Sequence, residues 1–343
     1  MRILVFRLSA MGDVALTVPV IRGALNNNPG LEITLVTRPF FLSFFDNIER
    51  LNVITPDFND RYRGFLGIIR LFFALKERGS YDCIIDLHNV LRTQILGILF
   101  VLTGQKTYKI NKTRSTKRKY LKLKEAPALP HTTELYHQVF SQANIIVAPI
   151  TPPVFTANES CISSVELFIS ENNLSGHILV GIAPFAKHKL KIWPTEYIQS
   201  LIQKLSANKK VRVLLFGGGK KEVELLEQLA FQNKNCLVIK LPLTLELVLI
   251  QKLRVMVSMD SANMHIAALS GIPVISIWGA THPGIGFGPW QQPISNAIQI
   301  DVNELTCRPC TIYGKGDCRR KDFACMKRII PNTVLRHINN YLS

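Results

Sequence analysis

Arg254-Val-Met-Val-Ser-Met-Asp260-Ser261-Ala262-Asn263-Met264-His265-Ile-Ala-Ala is the stretch on which the fold turns. An apolar run ends at two capping residues, and a helical run follows until Gly271 and Pro273 stop it. The reading is strand, tight turn and helix, one repeat of a doubly wound α/β sheet. Ser261 is placed to cap the helix, whose first N–H groups and positive dipole end suit a diphosphate. His265, four residues on, falls on the same face of the first turn. Taken singly, these residues read as capping and core. Together, at a strand's carboxyl end, they point to a phosphate site.

The same alternation extends both ways. Ile3–Phe6, Ile33–Val36 and Cys83–Asp86 read as strands upstream, with a helix over Gly64–Arg78. Ile178–Ile182, Val211–Phe216, Cys236–Ile239 and Val274–Ile277 read as strands around the opening stretch. Helices are expected at Glu196–Leu205 and Lys221–Phe231. Between the two sets lie a basic segment, Ala126–Pro130, a helical Glu134–Ala143 and the proline-rich Ala148–Pro153, the best linker. The 343 residues therefore divide into doubly wound domains at 1–153 and 154–330, facing across a cleft, with 331–343 as a closing helix.

Composition narrows the class. A hydrophobic fraction of 47% supports two cores and excludes disorder. The first residues, Met1–Val14, lack a signal-peptide pattern. The longest apolar runs, Phe65–Leu75 and Ile95–Leu102, are too short to cross a bilayer and read as packed helices. A cytoplasmic protein is expected. Its net charge of +17 is spread over both halves and suits an anionic partner. Lys106, Lys109, Lys112, Arg114, Lys117, Arg118, Lys119, Lys122 and Lys124 form an acid-free cluster, read either as an anion-binding segment or as a solvated loop.

The common nucleotide motifs are missing. Leu8-Ser-Ala-Met11-Gly12-Asp13 after the first strand has a single glycine, which disfavours a dehydrogenase. Gly217-Gly218-Gly219-Lys220-Lys221 lacks the spacing and hydroxyl of a phosphate-binding P-loop, though its bare backbone could approach a ligand. Trp278-Gly279-Ala280-Thr281-His282-Pro283 offers a small-residue turn with a hydroxyl just past a strand. Pro184-Phe-Ala-Lys187-His188-Lys189-Leu-Lys191-Ile-Trp193-Pro194 supplies a lysine able to meet a leaving diphosphate; Lys187 and Lys189 read as solvated.

In combination and order, Met11-Gly12-Asp13, Lys191-x-Trp193-Pro194, Asp260-Ser261-Ala262-x-Met264-His265-x-Ala-Ala and Gly279-Ala-Thr281 resemble glycosyltransferase family 9, the lipopolysaccharide heptosyltransferases. The resemblance implies a GT-B architecture of two Rossmann-like domains, the first for the acceptor and the second for the nucleotide sugar. It implies that Asp13, otherwise a helix-start residue, is the general base of an inverting transfer. Lys191, Ser261, Ala262 and Thr281 would meet the donor phosphates, with Asp260 and His265 flanking them and Glu222 on the ribose hydroxyls. Lys112, Arg114, Lys117, Arg118 and Lys119 would meet the anionic acceptor. The implied reaction moves heptose from ADP-heptose onto lipopolysaccharide inner core. Its alternatives are a hexosyltransferase of the same fold and a non-catalytic protein binding anionic glycan or nucleic acid. Ala262, where the family commonly has glycine, and Phe185-Ala186-Lys187, where some members are hydroxyl-rich, are departures bearing on the sugar. A monomer in peripheral contact with the inner membrane is expected, and nucleic acid is disfavoured because only Tyr108 and Tyr120 interleave with the basic run.

Cys307, Cys310, Cys318 and Cys325 cluster, and in a cytosolic chain such thiols suggest tetrahedral zinc more readily than disulfides. Free thiols are the simpler alternative. The transfer itself needs no metal if Lys191 and helix amides carry the diphosphate charge.

Overall fold

The computed structural model describes residues 1–123, 129–231 and 233–342. Lys124 and the 126–128 part of the expected break lie outside them. The chain forms two compact units, Met1–Lys112 with Thr132–Thr156, and Thr113–His131 with Ala157–Ser343.

In chain order the first stretch contains β1 (Arg2–Phe6), α1 (Met11–Ala15), α2 (Thr17–Asn27), β2 (Glu32–Val36), β3 (Leu51–Ile54), α3 (Gly64–Glu77), β4 (Cys83–Asp86), α4 (Leu91–Leu102), β5 (Lys106–Lys109), α5 (Arg114–Leu123) and α6 (Thr132–Gln142). Its five strands are all parallel, in the order β3-β2-β1-β4-β5. Ile3, Leu4, Val5 and Phe6 are buried on both faces, which is why the central strand is a continuous apolar run. Under α3 and α4, Leu4 and Phe6 pack with Ile68, Leu71, Phe72, Leu96 and Phe100. The Phe72 and Phe100 rings meet edge to face at 4.9 Å.

Two of these strands carry no apolar run. β5 is Lys-Thr-Tyr-Lys, the start of the predicted basic cluster, and sits at the sheet edge where lysines discourage further pairing. β3 is the opposite edge and is mostly half-exposed. The predicted packed helices α3 and α4 form, but only their inner faces are packed; Phe65, Leu66, Leu91 and Leu102 are exposed.

The second stretch adds α7 (Glu159–Glu171), β6 (Ile178–Ala183), α8 (Thr195–Ser206), β7 (Val211–Leu215), α9 (Lys220–Phe231), β8 (Cys236–Val238), α10 (Leu243–Ile250), β9 (Val255–Met259), α11 (Ala262–Leu269), β10 (Val274–Trp278), β11 (Ala297–Gln299), α12 (Ala324–Lys327) and α13 (Pro331–Asn339). Six parallel strands run β11-β10-β9-β6-β7-β8. Trp193 fills the core and donates its Nε1–H to Ile329 O at 2.8 Å, while α13 buries Val334 and Ile338 in that same core. The closing helix is therefore part of the second unit.

The basic segment after Lys112 also groups with the second unit, not with the first as the sequence predicts. Its amphipathic stems explain this. Tyr120 Oη lies 2.9 Å from His282 Nδ1, the Lys117 ammonium lies 3.9 Å from the Phe287 ring centroid, and His131 Nε2 lies 3.0 Å from Gly288 O.

Candidate active site

In the second sheet the chain leaves β6 toward β7 and β8, then returns to β9 on the other side. Such a reversal opens a crevice beyond the carboxyl ends of β6 and β9. Lys191 follows β6, Asp260 follows β9 and Thr281 follows β10. Their side chains converge. Lys191 Nζ lies 2.8 Å from Asp260 Oδ2 and 3.3 Å from Asp260 O, and Thr281 Oγ1 donates to Asp260 Oδ2 at 2.8 Å. Asp260 is 6% exposed and Thr281 fully buried, so the ion pair is held in a low-dielectric setting. An ammonium has three donors, and Asp260 takes two, so one can address a phosphate oxygen. Lys187 and Lys189 are exposed, Lys189 pairing with Asp317 at the surface.

Ser261 occupies the N-cap of α11, but its side chain makes no capping bond. Its hydroxyl instead lies 3.2 Å from Ser258 Oγ. The predicted cap is right in place and wrong in bonding, because Ser258 on β9 competes for the hydroxyl. The α11 start, with Ala262 in its first turn, keeps its dipole end without a side-chain cap. His265 is buried one turn in, with His131 as an ionisable neighbour. Glu222 lies in the first turn of α9, where its Oε2 accepts from Gly218 N at 2.9 Å. The carboxylate thus braces the glycine loop after β7, next to β6.

Gly314 fits closely over Lys191. Its φ is +81°, and a Cβ there would come within 2.7 Å of Lys191 Cγ. Gly314→Ala is expected to destabilise the protein by about 1–3 kcal/mol through backbone strain and to push Lys191 off Asp260. Thermal unfolding checks the first effect and nucleotide-sugar affinity the second.

Arg308 escaped the sequence reading. Only 1% exposed, it donates to the carbonyls of Gly279, Ile300 and Thr281 and to the Gln299 amide oxygen. One guanidinium thereby fixes both ends of the loop that carries Thr281. No local pattern distinguishes this arginine within its cysteine-rich segment.

The four cysteines of that segment line one small pocket beside Arg308 and are free thiols. Burial pushes the Cys310 thiol up and the Cys325 thiol to about 11. Their sulfurs suit zinc chemically, yet among the described residues no three His, Cys, Asp or Glu side chains are grouped so as to hold an ion.

The first sheet reverses between β1 and β4. Asp13, in α1 just after β1, has Oδ2 at 2.5 Å from Arg7 Nη2 and 3.4 Å from Ala10 N. Tyr136 donates to the Asp13 backbone oxygen at 3.1 Å. Burial by itself would lower the Arg7 guanidinium, but Asp13, Tyr136 and Asp86 outweigh it, so Arg7 is a fixed cation. At the carboxyl end of β4, Asp86 accepts the amides of His88 and Asn89 at 2.9 and 2.7 Å. His88 Nε2 lies 3.3 Å from Ser9 Oγ. Burial, then the Arg7 and Lys112 charges, lowers His88 to about 3, so the ring is neutral at ordinary pH.

Of the predicted acceptor residues, Lys112 stands where it acts on both Asp86 and His88. Arg114, Arg118 and Lys119 are exposed on α5 in the second unit. Lys117 is buried against Phe287 and is withdrawn from the acceptor set. Arg7, Asp86, His88 and Tyr136 were not foreseen. Cys83-Ile-Ile-Asp86 had marked a strand end, but nothing local pairs it with the turn after β1.

Two parallel, doubly wound Rossmann-like units, each gathering polar side chains at its switch point, define a GT-B type fold. The family model for glycosyltransferase family 9 (heptosyltransferase) matches residues 68–315, and the chain belongs to that family. It is similar to the lipooligosaccharide heptosyltransferase 2 of Campylobacter jejuni subsp. jejuni serotype O:2, with 27% identity over 49% of this chain and 52% of that protein. The chain thus spans about half the length of that curated relative. To the lipopolysaccharide heptosyltransferase 1 of Escherichia coli O18:K1:H7 it is 25% identical, over 89% of this chain and 94% of that one. The glycosyl transferase family 9 structure from Veillonella parvula DSM 2008 shares the fold at a TM-score of 0.77 and 19% identity, covering 99% of this chain and 97% of that one.

Proposed function

We propose that this protein is an inverting glycosyltransferase that moves heptose from ADP-heptose onto the inner core of lipopolysaccharide. The observation that carries the reading is the Lys191–Asp260–Thr281 cluster beside the uncapped start of α11. It offers a cation, aimed by the buried Asp260–Thr281 pair, and helix amides to a departing diphosphate. Family membership and the names of the relatives support the heptose.

In the proposed reaction Asp13 takes the proton of an acceptor hydroxyl. The oxygen attacks the anomeric carbon opposite the nucleotide, and the bond to the diphosphate breaks as the new glycosidic bond forms. Nucleoside diphosphate leaves with its charge met by Lys191 and the α11 amides. Asp260 aims Lys191, Thr281 and Ala262 line the phosphate side, His265 supports α11, and Glu222 binds the ribose hydroxyls. Lys112, with Arg114, Arg118 and Lys119, meets the acidic groups of a lipid-linked acceptor. The enzyme acts as a monomer at the cytoplasmic face of the inner membrane.

Transfer assays with ADP- and UDP-linked sugars and Kdo-containing lipid A test the reading. Transfer from ADP-heptose is the expected result. Transfer from a hexose donor alone would replace the heptose, and no transfer from any donor would favour the non-catalytic alternative. Because the diphosphate charge is met by protein groups, saturating EDTA is expected to change the initial rate by less than about two-fold. A larger loss would show that a divalent ion takes part.

A further inference from the structure

The first unit carries an apolar face with no partner among the described residues. α3 and α4 pack against one another, with Ile68, Leu71, Phe72, Leu96 and Phe100 turned into the core. Their outer sides are not polar. Phe65, Leu66 and Phe73 on α3 are 62%, 66% and 58% exposed, and Leu91, Ile98 and Leu102 on α4 are 74%, 60% and 77% exposed. Helical spacing lines them up: Leu66 and Phe73 are two turns apart, as are Leu91 and Ile98, with Leu102 one turn further. A helix packed on one side ordinarily carries charge on the other. The sequence of α4, however, contains Arg92 as its single charge. Isolated exposed apolar residues are common, but a run of them on two packed helices marks an interaction surface.

The charges framing this face are mainly basic. Arg61 and Arg63 precede α3, Arg70 and Lys76 lie on it, and Arg92 sits over the Phe58 ring at 4.3 Å. Glu77, Asp57 and Asp60 are the nearby acids in sequence.

We propose that the outer face of α3 and α4 is the surface by which this protein lies on an anionic lipid bilayer. The phenylalanines, leucines and isoleucine enter the boundary between headgroups and acyl chains, and the arginines and lysine bind headgroup phosphates. Charge selects this occupant. A second copy would set the same cations against one another, on a chain whose net charge is +17. The helices, at 14 and 12 residues, are too short to span a bilayer and must lie in its plane. This deepens the membrane contact proposed above by naming the surface that makes it.

The test is co-sedimentation of the full chain with vesicles of phosphatidylethanolamine and phosphatidylglycerol, against vesicles of phosphatidylcholine alone. Wild type is expected to partition onto the anionic vesicles about ten-fold or more in preference. Phe73→Gln/Ile98→Gln/Leu102→Gln is expected to lose about ten-fold of that binding with an unchanged thermal midpoint. Transfer to a delipidated, water-soluble acceptor is expected to stay at the wild-type rate. Should the triple variant misfold, Arg70→Gln/Lys76→Gln reads the same surface through a shallower salt dependence of vesicle binding. Undiminished binding by the variants overturns the proposal, as does a wild type that ignores anionic vesicles. So does a wild-type dimer in size-exclusion chromatography that the triple variant splits, which would give the face to a second copy. Vesicle binding without transfer from any donor would remove the enzymatic reading and leave this surface standing.

Discussion

Asp13→Asn is expected to lower turnover by about 100-fold or more while leaving nucleotide-sugar affinity within about two-fold, the scale of losing a general base. The amide is nearly isosteric, and its oxygen can still accept from Arg7 and from Ala10 N. The Tyr136 bond goes to the Asp13 backbone oxygen and does not depend on the side chain. The loop therefore keeps its shape while losing the group that takes the proton. Arg7, buried and 2.5 Å from that carboxylate, loses a counter-charge, so a modest fall in thermal midpoint should accompany the kinetic loss. Single-turnover kinetics and donor calorimetry separate the two effects. Turnover close to wild type would remove Asp13 from the role of base.

Lys191→Met carries the second large expectation, a loss in two quantities at once. Its ammonium and Asp260 form an ion pair whose side chains are 14% and 7% exposed. Removing one partner leaves Asp260 a buried carboxylate still bonded to the Thr281 hydroxyl, and breaking such a pair costs about 3–5 kcal/mol. The protein should unfold at markedly lower temperature. Donor affinity should also fall by about 10- to 100-fold, the weight of a charged hydrogen bond to phosphate. A double variant, Lys191→Met/Asp260→Asn, distinguishes the two. It removes the stranded charge, so the thermal midpoint should recover in large part, whereas affinity for the nucleotide sugar should not. Recovery of both would make Lys191 a structural residue and move the diphosphate elsewhere.

The two halves of the candidate site differed in how far they could be read from sequence. The donor side was legible because its parts are local. Met259-Asp260-Ser261 and Trp278-Gly279-Ala280-Thr281 each announce a strand end, and a doubly wound sheet sets such ends beside one another. Even so, the Ser261 hydroxyl turns to Ser258, which competes for it across the turn. The acceptor side was read mainly through charge, and charge misled. Lys117 belongs to the basic run, yet its stem follows the apolar side of α5 to Phe287. The apolar Phe65–Leu75 and Ile95–Leu102 runs read as packed helices and do pack, though burial stops at their inner faces, a limit that only the structure shows.

The sequence alone carried the fold class and the alternation of elements, which follow from periodicity and capping within a dozen residues, whereas the donor-side roles were implied by the family resemblance. Tertiary structure decided the pairing of Arg7 with Asp13, the grouping of Asp86, His88 and Lys112, and the clamp of Arg308 on the loop of Thr281. It also decided that the segment after Lys112 joins the second unit. These contacts join residues far apart in the chain, and which of many similar arginines, lysines and histidines meets a given carboxylate or carbonyl is settled by strand order and burial. A desolvated charge must find a partner wherever the packed sheets place one, and no local pattern records that choice.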